Sequence, residues 1–244
     1  MKVHVLGSSS RGNGYVFQAK KECLIVECGC KLIDAKKALN FKINGIVGAV
    51  VTHEHGDHAK YVHEYLNAGI RVLALPDVFK SLQFTHGAVN LTPKKSYRLG
   101  GFKLFALKVV HDVPCVAYVI NHPEMGTALI ATDAITLPYL LKGVNHIFIE
   151  ANYSDEILSE NIENGRVPFE MRCRLLNSHM EIEETKKIIS SLNSPKLENV
   201  VLIHLSDGNS NADRFQQEVK DIVPACEVYV AEKGMEIDLN VNPY

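Results

Sequence analysis

Val47-Gly48-Ala49-Val50-Val51-Thr52-His53-Glu54-His55-Gly56-Asp57-His58 decides how this chain is read. The apolar run 47–52 has the length and composition of a buried strand. It passes without a spacer into His53, His55, Asp57 and His58, four side chains able to ligate a metal. His53 and His55 are two residues apart, so in an extended turn both face one cation. Asp57 and His58 open the next helix and face a second, and Gly56 is expected to permit the tight bend between them. Imidazole suits zinc, and the carboxylate suits zinc, manganese or iron. A polar loop that merely contains a histidine or two is commonplace. Three histidines and an aspartate behind a buried strand need a reason to converge, and a metal supplies one.

The rest of the chain supplies a scaffold. Strands are expected over 2–6, 15–19, 23–27, 46–52, 71–75, 95–99, 102–109, 116–120, 128–132, 146–150 and 200–204, with helices over 34–39, 60–67, 155–162, 168–176, 181–192 and 212–222. Pro168 is expected at the first position of its helix. The 181–192 helix turns Ile182, Thr185, Ile188, Ile189 and Leu192 to one face. Residues 227–230 and 235–239 are expected to close the chain as a hairpin. Strands followed by strand–helix alternation, twice over, predict an α/β architecture of two mixed sheets packed face to face with helices outside, in one domain over 1–244.

Of the 244 residues, 46% are hydrophobic and 22% charged, which suits a globular chain. A net charge of −2 means that any nucleic-acid contact must come from a local patch. No apolar stretch approaches membrane-spanning length and no signal-peptide run opens the chain, so a cytoplasmic protein with no membrane partner is expected. The six cysteines form no framework, and Cys28-Gly29-Cys30 reads as small buried residues at a strand end. Phe79, Phe84 and Phe105 read as core, and His4, His63, His86, His122 and His146 lie outside the ligand series. Nothing in the sequence indicates an oligomer.

His53-x-His55-x-Asp57-His58 resembles the signature of the metallo-β-lactamase superfamily. The resemblance extends through His111, Asp133 and His204, each where an expected strand ends, and so spans about residues 3 to 240. It implies the superfamily's αββα sandwich and two divalent metal ions, zinc or manganese, with iron admitted by the ligand set. His53, His55 and His111 would hold one ion, Asp57, His58 and His204 the other, and Asp133 would bridge them. Asp57 could also orient a nucleophilic water. Enzymes that open β-lactams usually carry Cys or another ligand in place of the bridging Asp, so Asp133 points away from that activity.

The segment Asn177-Ser178-His179-Met180-Glu181-Ile182 is similar to the histidine segment of the phosphodiesterase branch. By that resemblance His179 is the general acid, with Glu183 or Glu184 keeping it charged. The turn Gly7–Asn13, the triplet Glu150-Ala151-Asn152 and His204-Leu205-Ser206 resemble features of YycJ/WalJ-type exonucleases, although Glu27 stands where such chains often have Asp. This implies a nucleic acid substrate, DNA degraded from a 5′ end. Ser8, Ser9, Ser10 and Asn13 could receive a terminal phosphate on exposed N–H groups. Arg172 and Arg174, with Arg166 nearby, could meet phosphates bidentately, or simply form a solvated helix face. Two alternatives stay open: a small-molecule (cyclic) phosphodiesterase, and a non-hydrolytic metal-binding module.

Overall fold

The computed structural model describes residues 1–80, 82 and 85–239; the expectation for Phe84 lies outside them. The first half of the chain runs β1 (Lys2–Gly7), β2 (Gly14–Gln18), β3 (Cys23–Val26), α1 (Leu32–Ala38), β4 (Ile46–Val50), α2 (Gly56–Ala59), α3 (Val62–Asn67), β5 (Val72–Ala74), α4 (Pro76–Phe79) and β6 (Ala88–Asn90). The second runs β7 (Ser96–Leu99), β8 (Phe102–Val109), β9 (Cys115–His122), β10 (Gly126–Ala131), β11 (His146–Glu150), α5 (Asp155–Glu163), α6 (Glu170–Ser178), α7 (Ile182–Leu192), β12 (Asn199–Ile203), α8 (Ala212–Ile222), β13 (Glu227–Val230) and β14 (Glu236–Asp238). Two seven-stranded sheets result, ordered β14-β1-β2-β3-β4-β5-β6 and β13-β12-β11-β10-β9-β8-β7.

The period-2 alternation of strand side chains builds three cores from these two sheets. Val3, Val5, Leu24, Val26, Leu104, Ala106, Phe148, Val201 and Ile203 point between the sheets, where Phe148 packs on Phe17 with ring centroids 5.3 Å apart. Their neighbours Ile25, Ala49 and Val51 face the other way, against Ala35, Val62, Tyr65 and Leu66 of α1 and α3. Ile147, Ile149, Val200 and Leu202 face Ile188, Ile189, Phe215 and Val219 of α7 and α8. Sheets buried on both faces need strands with few polar positions, and this is why β3, β11 and β12 read as continuous apolar runs. The αββα sandwich expected from the strand and helix order is thus the observed one.

Three expectations are corrected. Residues 227–230 and 235–239 form no hairpin: β13 lies parallel to β12 in one sheet, and β14 lies antiparallel to β1 in the other. The chain end therefore crosses between the sheets. Pro168 precedes its helix, since α6 begins at Glu170 with Phe169 as its N-cap. The stretch 60–67 is broken at Tyr61, the N-cap of α3, so the motif has its own single turn of helix, α2.

The sandwich puts one set of strand ends together. β10, β11 and β12 run parallel, with Ala131 opposite Ile149 and Glu150 opposite Ile203, so the residues that follow emerge side by side. β4 ends on the facing sheet at the same rim. Tyr118 of β9 crosses the interior to donate its hydroxyl to the Val51 carbonyl at 2.8 Å, and Val116 N–H donates to the Thr52 carbonyl at 3.2 Å. The base of the His53–His58 loop is therefore tied to the opposite sheet.

Candidate metal centre

Three of the strands that end at this rim deliver a polar side chain through a kinked backbone. Glu27, Asp133 and His204 follow β3, β10 and β12, and all three have positive φ, at 67°, 49° and 55°. L-residues adopt this region at a cost, and such outliers gather at functional sites where the surroundings hold them. Here the neighbours do so. The His204 N–H donates to Ser8 Oγ at 3.0 Å, its carbonyl accepts from Asn152 Nδ2 at 2.8 Å, and the Glu27 N–H donates to the Val50 carbonyl at 2.9 Å.

The fold brings all seven expected ligands together. His53, His55, His111 and Asp133 offer one group of donor atoms lying within 4.8 Å of one another, and Asp57, His58, Asp133 and His204 offer another. Asp133 is common to both. Its Oδ2 is 3.1 Å from His58 Nε2 and 3.4 Å from His53 Nε2, while its Oδ1 is 3.3 Å from His204 Nδ1.

The outward nitrogens of three of the histidines are engaged, which turns their remaining nitrogens inward. His111 Nδ1 donates to the Ser178 carbonyl at 2.8 Å, His53 Nδ1 lies 2.9 Å from Thr52 Oγ1, and His204 Nδ1 lies 3.0 Å from Glu150 Oε1. Such outer partners fix the tautomer that leaves Nε2 unprotonated toward a metal. His58 Nδ1 faces Glu27 Oε1 at 3.5 Å, so Glu27 answers the motif electrostatically across a gap longer than a hydrogen bond. His53 Nε2 is buried and has no hydrogen-bond partner. An unpartnered imidazole nitrogen aimed at a buried carboxylate among further histidines fits a divalent cation, and the nitrogen and carboxylate donors suit zinc, manganese or iron.

Charge in the site is split. Burial, and then the charge on His58, hold His53 below the ordinary histidine value, and burial, then His53, bring His111 down to about 4. Burial opposes charging of His58 and His204 too, but carboxylates outweigh it. Asp133 and Glu27 lift His58 well above its usual range, and Asp133, Asp57 and Glu150 lift His204 to about 10. Asp57 and Asp133 resist the upward push of burial because His204 and His58 hold both below the usual carboxylate range.

A third cluster overlaps the first two: Asp133, Glu150, His179 and His204. Glu150 is fully buried. Its Oε1 accepts from His179 Nδ1 at 2.7 Å and His204 Nδ1 at 3.0 Å, and its Oε2 from the N–H groups of Met180 at 3.2 Å and Ala134 at 3.3 Å. His179 is opposed by burial but raised by Glu150. The carboxylate serving His179 is therefore Glu150 and neither Glu183 nor Glu184. Glu183 pairs with Lys186, and Glu184 accepts from Thr136 Oγ1 and pairs with Lys187. Glu150 was visible as the charged end of the apolar strand His146–Glu150, the same signal that marks Asp133 and His204. Asn152, whose Nδ2 also lies 3.1 Å from His204 Nδ1, stood with Glu150 in the triplet Glu150-Ala151-Asn152, with no role assigned to either.

Asn13 is buried, and its Nδ2 reaches Asp57 Oδ2 at 3.2 Å and His58 Nε2 at 3.0 Å. It lies inside the ligand cluster, away from the loop surface where a terminal phosphate was expected. Ser8 is likewise committed inward, its Oγ taking the His204 N–H and lying 2.8 Å from Tyr15 Oη. Ser9 Oγ accepts from Arg11 N–H at 3.3 Å, and Ser10 is exposed. Arg172 is engaged by Asp155 at 2.7 Å and Ser159 at 2.9 Å, which leaves Arg174, exposed on α6, as the uncommitted member of that pair.

The glycine the motif needs is Gly29 rather than Gly56. A Cβ on Gly56 would meet nothing within 4 Å. A Cβ on Gly29 would overlap the Asp57 carbonyl oxygen and sit 2.7 Å from Asn13 N. Cys28 N–H donates to the His58 carbonyl at 2.8 Å, so Cys28-Gly29-Cys30 is the brace on which the metal loop rests. All six cysteines are free, and only Cys173 is exposed.

Two facing sheets with helices outside, carrying a His/Asp cluster at one rim compatible with divalent metal binding, define a metallohydrolase-type sandwich. Residues 10–135 match the family model of the metallo-beta-lactamase superfamily, and the chain belongs to that superfamily. The chain is 24% identical over 235 residues to the exodeoxyribonuclease YycJ of Bacillus anthracis, covering 90% of this chain and 88% of that one. It is 22% identical over 258 residues to the exodeoxyribonuclease WalJ of Streptococcus pneumoniae, with 98% and 93% covered. Its fold is shared with the crystal structure of the metallo-beta-lactamase fold protein YhfI from Bacillus subtilis, with a TM-score of 0.76 at 18% identity over 97% of this chain and 98% of that one. No helix among the described residues is long and apolar enough to cross a membrane.

Proposed function

We propose that this protein is a binuclear metal-dependent phosphodiesterase that degrades DNA from a 5′ end. The observation that carries the reading is the pair of ligand groups sharing Asp133, with His179 held on Glu150 beside them. His53, His55 and His111 would hold one cation, Asp57, His58 and His204 the other, with Asp133 common to both. Zinc or manganese suits these donors, and iron is admitted. When bound, the cations supply Lewis acidity toward a phosphoryl oxygen and lower the pKa of water.

The chain's own groups do the rest. Asn13 Nδ2 donates to Asp57 Oδ2 at 3.2 Å, which orients that carboxylate both to ligate its cation and to accept a hydrogen bond from the attacking water. His179 gives its Nδ1–H to Glu150, and its Nε2 can then donate a proton to the departing alkoxide. Its side chain is 16% exposed, enough to meet a substrate at the mouth of the site. The extent of the likeness to the exodeoxyribonucleases YycJ and WalJ supports DNA as the substrate.

The test is to incubate the manganese- or zinc-loaded protein with 5′-phosphorylated duplex DNA and, separately, with bis(p-nitrophenyl) phosphate. Release of nucleotides from the DNA is expected, with loss of that activity in a chelator and in Asp133→Ala. Turnover of the small ester alone would overturn the nuclease reading in favour of a small-molecule phosphodiesterase.

A further inference from the structure

The Gly7–Asn13 turn has two sides. One carries Asn13 against Asp57 and His58, and the other forms a wall of an open groove. That groove is a cavity of about 820 Å³ bounded by Ser8, Ser9, Arg11, Gly29, Lys31, Lys37, Tyr61 and Lys233 among others. It continues past Lys37 and Lys233 into a second cavity of about 300 Å³ beside β1. One layer of backbone separates it from the metal cluster: Gly29 packs directly on Asp57, and Ser8 Oγ holds the His204 N–H.

Four cations and two carboxylates, Asp34 and Glu232, line the larger cavity. The Arg11 guanidinium is paired with Asp207 at 2.6 Å. Lys31, Lys37 and Lys233 are exposed, and their ammonium groups have no hydrogen bond or ion pair among the described residues. They come from two places in the chain: Lys31 and Lys37 from the two ends of α1, and Lys233 from the turn before β14. The backbone N–H groups of Ser8, Ser9 and Ser10 on the adjoining turn likewise have no partner among the described residues, and successive free N–H groups attract anions. In a chain of net charge −2, three uncommitted ammonium groups converging on one groove next to the reaction centre make a local field opposite to the overall one.

We propose that this groove is the track for the nucleic acid strand beyond the scissile bond, with Lys31, Lys37 and Lys233 neutralising its phosphates and the Ser8–Ser10 amides lying at the end nearest the metals. The proposal rests on the nuclease reading above and extends it from the scissile phosphate to the rest of the strand. Phosphates contacted here carry no base information, so the track is indifferent to sequence and suits processive degradation.

The experiment compares the metal-loaded wild type with Lys31→Gln/Lys37→Gln/Lys233→Gln. A control, Lys94→Gln/Lys95→Gln/Lys103→Gln, removes equal charge near the β7–β8 hairpin, whose strands meet at Leu99 and Phe102, far along the sheet from His111. Binding of a dye-labelled, phosphorothioate-linked single strand is followed by anisotropy against salt. Melting temperature and metal stoichiometry report that each variant is folded and loaded. Three lost phosphate contacts should flatten the log–log salt slope by about 2 and weaken binding about 100-fold at 0.1 M salt, at 0.7 per contact. The control should keep the wild-type slope. A groove variant that is folded, loaded and equal to wild type, while wild type binds and degrades DNA, overturns the groove alone. Equal losses in the two triple variants would make the effect one of net charge and also overturn it. Absence of salt-dependent binding by wild type overturns the groove together with the nuclease reading.

Discussion

Replacing Glu150 with Gln removes one negative charge from a position where four hydrogen-bond donors converge. The two imidazoles of His179 and His204 share Oε1, and two backbone N–H groups share Oε2. An amide can offer an oxygen to only one of these pairs and must turn its NH2 toward the other. Two buried donors are then left facing a donor, at about 1–3 kcal/mol each, so a stability loss of about 2–6 kcal/mol is expected. The kinetic effect follows from His179. Burial works against its charged form and Glu150 is what overcomes burial. Without that charge its pKa falls, and the acid form needed to protonate a leaving alkoxide is lost at lower pH. The alkaline limb of the rate profile on DNA should move toward acid, and turnover near neutrality should fall about 10²–10⁴-fold, the usual contribution of a positioned general acid. p-Nitrophenolate leaves without a proton, so bis(p-nitrophenyl) phosphate should lose far less. The assay is the ratio of the two rates across pH, alongside metal content. If E150Q retains its metals and loses activity equally on both substrates with an unmoved alkaline limb, Glu150 does not act through proton delivery by His179 and the assignment is wrong.

Other predictions follow from single contacts. Gly29→Ala would drive a methyl group into the Asp57 carbonyl; over-packing of this kind typically costs about 1–3 kcal/mol, and relief requires the metal loop to shift. Purified G29A should bind substoichiometric metal and melt earlier, and a fully loaded variant would contradict the close approach. His58 and His204 carry protons at neutral pH where no cation is present, whereas His53 and His111 do not. Metal uptake near pH 7 should therefore release on the order of two protons, seen as a buffer-dependent calorimetric enthalpy, and affinity should rise with pH; a buffer-independent enthalpy would contradict the charge assignment. His146 is buried in β11, 2.9 Å from the Met125 carbonyl and 3.0 Å from Asn199 Nδ2. Burial brings it down to about 4 despite the Met125 carbonyl. A depressed histidine binds fewer protons in the folded than in the unfolded chain, so its contribution is complete above the ordinary value near 6.5 and is lost between there and about pH 4, about 3 kcal/mol in all. His146→Gln should flatten that part of the acid-melting profile, and an unchanged profile would exclude His146 as its source.

How far the sequence could be read depended on whether the signal was local. β11 and α8 stood at their observed limits, β11 as a short apolar run and α8 in the helical period of its own residues, because burial writes itself into adjacent positions of a strand or helix. Short elements of three or four residues, such as β6 and α4, had too few positions to show a period. The chain end misled for a related reason. Two neighbouring apolar runs look like a hairpin, and nothing in either run says that β14 pairs with β1, more than 230 residues away in the chain.

For the site, the His53–His58 spacing stood out by itself, and the family resemblance it carried singled out His111, Asp133 and His204 at expected strand ends, side chains that the fold gathers with it. A ligand's chemistry resides in the residue itself, and strand ends are legible in order. The partners of those residues were not so marked. That Glu150 serves His179 and His204 together, that Asn13 and Ser8 turn inward, that Arg172 is taken by Asp155, and that Lys233 joins the two lysines of α1 on one groove all depend on distances between separate parts of the chain. Hydrogen bonds and charge fields act over a few ångströms of space, whatever the separation in sequence, so only the packed sandwich could decide them.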